Sequence, residues 1–251
     1  MNNKNLLESF PLFLGSMEDL THEIVNCIDK KCFFAINTDC YLIARKDSVY
    51  REILKNSNGR VYVDGMGIIY GQKFLRMPVA HERISTTDLF PYLFSYIENN
   101  KISGKKVYLL GGKKNTAKKV AEKFSVKYKY LEVVGYHDGY SIDFQNSSNV
   151  IDEINKANAD FLFVGFGCPL QEKWVSANFY KLNVRCILTC GGLFDYYAEN
   201  VKRAPKWMQK FGLEWFYRLL QEPRRLFKRY FYGNIVFGLL LLKHKLTKEY
   251  L

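Results

Sequence analysis

The run Phe161-Leu-Phe-Val-Gly-Phe-Gly-Cys-Pro-Leu-Gln-Glu172 holds a complete strand, turn and helix signal. Four bulky apolar residues, too short a run for a helix, read as a buried strand. Gly165 and Gly167 mark a tight turn. Pro169 suits the first turn of the helix expected over Pro169–Tyr180. The same unit recurs on either side. Apolar runs at Phe33–Ile36, Arg60–Val63, Lys106–Leu110, Leu131–Val134 and Cys186–Thr189 predict further strands. Helical patterns lie around Glu18–Asp29, Thr87–Glu98, Thr116–Phe124 and Val150–Ala157. This alternation predicts an α/β fold, a Rossmann-like and mostly parallel sheet with helices on both faces. Ligands of such sheets sit beyond the carboxyl ends of the strands.

The loops expected there are Asn37-Thr-Asp39, Asp64-Gly-Met-Gly67, Gly111-Gly-Lys-Lys-Asn115, Gly135-Tyr-His-Asp-Gly-Tyr140, Gly165 to Glu172, and Gly191-Gly-Leu-Phe-Asp195. Glycine lets backbone N–H groups approach a phosphate, and a helix N-terminus favours negative charge. The loops therefore suggest a nucleotide site. Two familiar fingerprints are absent: Leu170 stands where the dinucleotide pattern needs a third glycine, and no Gly-Lys-Ser/Thr occurs. Asp64 follows an apolar strand and precedes two glycines, which fits a general base and equally fits a helix cap. Arg83 could meet a diphosphate or form a weak surface ion pair. Gln171 could offer its amide to a ligand or simply be solvated. His137 and Asp138 lack a third partner and read as loop hydrogen-bonding residues, so no metal site is expected. No Asp-x-Asp is present. If the chain breaks a sugar–diphosphate bond, arginines and helix ends must stabilise the leaving charge.

The formal net charge is +12, and residues 201–251 carry 12 Lys and Arg against three Glu, or +9 of it. Aromatics thread this segment, so an anionic, partly apolar partner is expected: a membrane surface or a lipid-linked phosphate. Its longest apolar run, Ile235–Leu242, spans 13 residues when extended back through Tyr230. That is roughly 20 Å of helix, short of the ~30 Å hydrocarbon core, so the segment is expected to lie on a membrane and not cross it. The N-terminus lacks a signal-peptide pattern. Six scattered cysteines read as thiols of a reducing cytoplasm. The expected division is a nucleotide-sugar-binding catalytic domain over residues 1–200 and a helical, basic C-terminal appendage over 201–251.

Taken together, Asp64-Gly-Met-Gly67, Glu82-Arg83, Leu110-Gly-Gly112, Val164 to Glu172, Gly191 to Asp195, Arg203-Ala-Pro205, Gly212-Leu-Glu-Trp-Phe-Tyr-Arg218 and Glu222-Pro223 resemble the WecG/TagA/CpsF family of bacterial glycosyltransferases. The resemblance runs from about Phe10 to about Tyr232. It implies inverting, metal-independent transfer of N-acetylmannosamine, or its uronic acid, from a UDP-sugar. The implied acceptor is N-acetylglucosamine linked through diphosphate to undecaprenol, in cell-surface polysaccharide or teichoic acid linkage-unit synthesis. No cofactor is implied. By the same resemblance Asp64 is the general base, Asn37 lies near the reacting sugar, and Arg83 contacts the donor diphosphate or the acceptor. Gln171 and Asp195 belong to the donor pocket, and Gly111, Gly112, Gly191 and Gly192 close on UDP. Arg203, Arg218 and Arg225 would grip the lipid diphosphate.

The chain departs from the family pattern at Ala35, Thr86, Leu170 and Glu199, which bears on the choice of donor and acceptor. Two other function classes fit parts of the sequence. A non-catalytic UDP-sugar-binding membrane adaptor would keep the fold and release no UDP. Nucleic-acid binding fits the basic, aromatic tail but not its apolar run, so no nucleic-acid partner is expected. The expected location is the inner face of the cytoplasmic membrane, as a peripheral monomer or weak homo-oligomer. Residues near Arg203–Arg225 would complete the active site, and Lys228–Lys245 would hold the bilayer.

Overall fold

A computed structural model of the chain describes residues 6–210, 213–227 and 231–247. Seven strands form one sheet: β1 (Leu12–Phe13), β2 (Lys31–Ile36), β3 (Gly59–Val63), β4 (Lys105–Gly111), β5 (Leu131–His137), β6 (Phe161–Gly165) and β7 (Cys186–Thr189). Their order is β1-β3-β2-β7-β6-β4-β5, and every neighbouring pair is parallel. The six expected strands are all present. β1 is additional; two residues are too few to leave a periodic signal. The chain runs outward from β2 to β3 on one side, while β4 and β5 lie on the other. The order therefore reverses at the β2/β7 junction, where a crevice opens at the carboxyl ends.

Alternation along each strand builds two cores. Phe34, Ile36, Val61, Val63, Leu110, Leu162, Val164 and Ile187 face one side of the sheet. Phe33, Tyr62, Val107, Leu109, Phe161, Phe163 and Leu188 face the other. The first face is covered by α2 (Thr38–Lys46), α3 (Ser48–Lys55), α4 (Met66–Phe74), α7 (Ser148–Ala157) and α8 (Leu170–Asn178). The second is covered by α1 (Met17–Val25), α5 (Thr86–Asn99), α6 (Thr116–Lys127) and α9 (Leu193–Tyr197). Phe90 of α5 anchors that second core, its ring centroid 4.0 Å from Phe163 and 4.6 Å from Phe94.

Three helices on the first face, α2 to α4, go beyond the sequence expectation. Local caps signal the first two. Asn37 Oδ1 accepts from the Asp39 and Cys40 N–H groups, each at 3.0 Å. Asp47 Oδ1 accepts from Tyr50 N–H at 3.0 Å and starts α3. Helix α1 stops at Val25, short of the expected Asp29, because Asn26 N–H closes back on His22 and Ile24 carbonyls.

The basic segment is helical, as expected: α10 (Lys206–Lys210), α11 (Glu214–Gln221), α12 (Pro223–Phe227) and α13 (Gly233–Thr247). No helix among the described residues is long and apolar enough to cross a membrane. Helix α13 lies against α2 and α4. Phe237, Leu241 and His244, spaced one or two turns apart, are buried. Phe237 meets the Tyr41 ring edge-on at 5.1 Å, and Thr38 Oγ1 bonds Asn234 Oδ1 at 3.1 Å. A second stripe, Ile235, Leu239, Leu242 and Leu246, points outward and is exposed. Beyond the bilayer contact expected of this stretch, one face of α13 packs into the protein core. Lys228, within that expected stretch, lies outside the described residues.

Candidate active site

A cavity of about 940 Å³ opens at the β2/β7 crevice, within the range of small-molecule sites. Its wall includes Asn37, Asp64, Arg83, Gln171, Gly191, Gly192, Asp195 and Arg218. Residues scattered over 180 positions of sequence are brought together because three strand ends meet there.

Asp64 sits just past β3, its N–H donating to Ile36 carbonyl at 2.9 Å. The cap position of α4 falls to Gly65, which offers no side chain, so the helix-cap reading of Asp64 does not hold. Its Oδ2 instead accepts from Thr86 Oγ1 at 3.0 Å. Burial pushes the Asp64 carboxyl up to about 7; Arg83 and the Thr86 bond pull the other way, and the nearby Glu214 carboxylate adds to the rise. The glycines beside it permit close packing. A Cβ on Gly67 would stand 2.4 Å from Thr38 Cγ2, and one on Gly65 3.0 Å from Asn37 Cβ. Asn37 uses its Oδ1 to cap α2, which leaves its Nδ2 as the group available to the cavity.

Gln171 is buried, and its amide is engaged within the protein. Its Oε1 accepts from Gly167 N–H at 3.2 Å and Gly191 N–H at 3.0 Å, while its Nε2 donates to Glu172 Oε1 at 2.7 Å. It ties the β6–α8 and β7–α9 loops together, so neither earlier reading, ligand amide or solvated amide, describes it. Gly191 adopts φ +53 with open space beside its Cα, and Gly192 faces Arg218 across 3.4 Å from a would-be Cβ. The Arg218 guanidinium lies over the Tyr196 ring at 4.7 Å. Asp195 Oδ1 accepts from Asn200 Nδ2 at 3.2 Å.

Gly111 and Gly112 are not in the cavity wall. Gly111 has φ +135, and a Cβ there would fall 2.5 Å from Gly165 carbonyl oxygen. Glycine at this point lets the ends of β4 and β6 approach, which accounts for it without a ligand.

Arg83 and Arg203 are held in a closed ring of alternating charge. Arg83 Nη2 lies 3.4 Å from Glu214 Oε2 and 3.6 Å from Asp88 Oδ2; Arg203 bonds Glu214 Oε1 at 3.1 Å and Asp88 Oδ1. Arg83 and Glu214 line the cavity; Arg203 stands behind them. The Arg225 side chain lies outside the described residues. Glu214 carries no sequence signal as a site residue: a single Glu among the aromatics and the arginine of residues 212–218 has partners, Arg83 and Arg203, that lie 131 and 11 positions away. The tail also supplies Asn234, Phe237 and Leu241 to the wall. Of the four departures from the family pattern, Ala35 and Thr86 line the cavity, whereas Leu170 and Glu199 do not. Glu199 pairs with Lys123 at 2.6 Å.

Asp138 Oδ1 accepts from Tyr140 and Ser141 N–H groups, and His137 Nε2 contacts Ser141 Oγ at 3.2 Å, which is the expected loop role. Among the described residues no group of three or more His, Cys, Asp or Glu is placed to hold a metal ion. All six cysteines are free thiols.

Comparison with known proteins places the chain. An N-acetylglucosaminyldiphosphoundecaprenol N-acetyl-beta-D-mannosaminyltransferase of Bacillus subtilis (strain 168) is 36% identical over 191 residues, covering 76% of this chain and 71% of that protein. A protein of the same name from Bacillus spizizenii is 31% identical over 182 residues, 72% and 68% of the two chains. One from Staphylococcus aureus (strain MRSA252) is 28% identical over 191 residues, 76% and 72%. The model of the WecG/TagA/CpsF glycosyl transferases matches residues 6–250. With its parallel sheet, its strand-end cavity and this match over nearly the whole length, the chain belongs to the WecG/TagA/CpsF family of glycosyltransferases.

Proposed function

We propose that the chain moves an N-acetylmannosamine-type sugar from a UDP-sugar onto undecaprenyl-diphosphate-linked N-acetylglucosamine, with inversion and without a metal. The relatives' names supply the acceptor and the sugar class. The observation that carries the chemistry is Asp64, a carboxylate in the crevice that caps no helix and that burial pushes up to about 7. In this reading Asp64 takes the proton of the acceptor hydroxyl as that oxygen attacks the anomeric carbon; the bond to UDP breaks, and UDP leaves with the electron pair. Arg83 and Arg218 offset the negative charge of the diphosphates. Gln171 keeps the Gly167 and Gly191 loops in register so that backbone groups meet the donor. The whole of 201–251 acts as an appendage that closes the site and, through the exposed stripe of α13 and its basic residues, rests on the inner membrane face.

Asp64→Asn tests the assignment. It should retain UDP binding and lose transfer by about 10²–10⁴-fold; turnover near that of the parent would overturn it. A base must be deprotonated to act, so log kcat/KM should climb with pH and level off above about 7, the value to which Asp64 is raised. A profile flat from pH 5 to 8 would contradict this.

A further inference from the structure

Glu214 stands where two arginines converge, and the connectivity around it is unusual. Each of its carboxylate oxygens has its own partner: Oε2 faces Arg83 and Oε1 accepts from Arg203 Nε. Asp88 repeats the pattern, Oδ1 to Arg203 and Oδ2 to Arg83. Two members, Arg83 and Asp88, come from the body, and two, Arg203 and Glu214, from the tail. The ring is therefore a joint between them. Its cavity side is the shielded one: the Glu214 side chain is 13% exposed and that of Arg83 19%, against 29% for Arg203 and 36% for Asp88. Partly buried pairs of this kind are screened little by salt.

The ring lies beside the reacting carboxylate. Thr86, which donates to Asp64, begins α5 two residues before Asp88. The charged groups acting on Asp64 are Arg83 and Glu214, with the Tyr62 hydroxyl close by. An arginine side chain has several rotatable bonds, and among the described residues Asp88 is the one group from the body that meets the Arg83 guanidinium. Without Glu214, Arg83 would have the longer of its two contacts as its sole anchor.

We propose that Glu214 is a positioning residue: from the tail it fixes the Arg83 guanidinium beside Asp64, so that the body's own arginine is correctly placed only when the tail is docked. This rests on the reading of Asp64 and Arg83 as parts of the transfer site. Glu214 touches neither sugar nor diphosphate in this role. Its proposed effect on transfer runs through Arg83, which distinguishes it from a residue that merely stabilises the tail.

A double-mutant cycle separates the two roles. Transfer to a short-chain polyprenyl-diphosphate acceptor is followed with the full chain, the Glu214→Gln and Arg83→Ala variants and the pair. Glu214→Gln should lower kcat/KM by roughly 10–100-fold, as a misplaced catalytic partner does. In the Arg83→Ala background the same change should cost no more than about twofold. Glu214→Asp, which keeps the charge on a shorter arm, should recover part of the loss, and if the Gln variant does not fold, the Asp variant is carried through the same cycle. Equal losses in both backgrounds, or a Glu214→Gln enzyme within about twofold of the parent, would overturn the proposal. Absence of transfer by the unaltered chain would instead remove the functional reading on which it stands.

Discussion

Asp64 and Gln171 show what single residues in a sequence disclose. Asp64 draws notice in the sequence because its surroundings, an apolar strand before and glycines after, leave few places for a carboxylate to go, and it lines the cavity. Its two readings separated only when Gly65 proved to hold the cap position. Gln171 lines the cavity, but its amide is engaged within the protein, by backbone N–H groups on two other loops, one of them twenty residues away. No pattern in a sequence announces such a bond. Gln171→Ala would leave both N–H groups without that acceptor, at about 1–3 kcal/mol, and urea unfolding should show the loss. Glu172 beside it is fully buried, and burial pushes its carboxyl up to about 7 from 4.5. The folded state therefore binds its proton more tightly than the unfolded chain does. That contribution is complete below about pH 4.5 and disappears as pH rises through about 7, a change of roughly 3 kcal/mol. Asp64 acts in the same direction. Unfolding at pH 5 and pH 8 should show the parent losing more stability than Glu172→Gln, which stays neutral at both; equal losses would place the buried charge elsewhere.

At the scale of elements, strands were easier to read than helices. β2, β3, β4, β6 and β7 are short buried runs bounded by glycine or polar residues, and their period is too simple to mistake. Helices α2 and α3 go beyond the sequence reading, although Asn37 and Asp47 are good caps, because nine and eight residues give too few turns for a clear apolar period. Helix α13 raised the opposite difficulty. Ile235–Leu242 is apolar on every side, so periodicity cannot tell which stripe faces the protein. The structure divides it, with Phe237 and Leu241 inward and Leu239 and Leu242 outward. Phe237→Ala should remove the contact with Tyr41 and the packing over Gly71, where the ring comes within 3.1 Å of a would-be Cβ. A cost of about 3–5 kcal/mol exceeds what a lone terminal helix can absorb, so α13 should detach. Trypsin would then cut at Lys243 and Lys245 faster than in the parent. Unchanged cleavage would mean that α13 is held mainly by its other contacts.

For the whole molecule, the sheet order gathers the cavity residues and the tail supplies part of the wall. The sequence predicts that deletion from Lys228 onward weakens membrane binding more than chemistry on a short-chain acceptor. Because α13 contributes Asn234, Phe237 and Leu241 to the cavity wall, truncation before Gly233 should impair transfer even to a short-chain acceptor in detergent. Truncation before Val201 should abolish it, since Glu214 and Arg218 go too. Full activity of the shorter truncation would restore the original division of labour. The same helix carries a further consequence. It walls the cavity with one face while its opposite face is apolar and open, and a helix is only about 10 Å across. On the proposed membrane-bound reading, the reacting end of a lipid acceptor is one helix diameter from the bilayer it is anchored in. Such an enzyme meets its acceptor in two dimensions. Its rate should follow the acceptor's mole fraction in the vesicle surface: it should fall when inert lipid dilutes that surface and hold steady when more vesicles of the same composition are added.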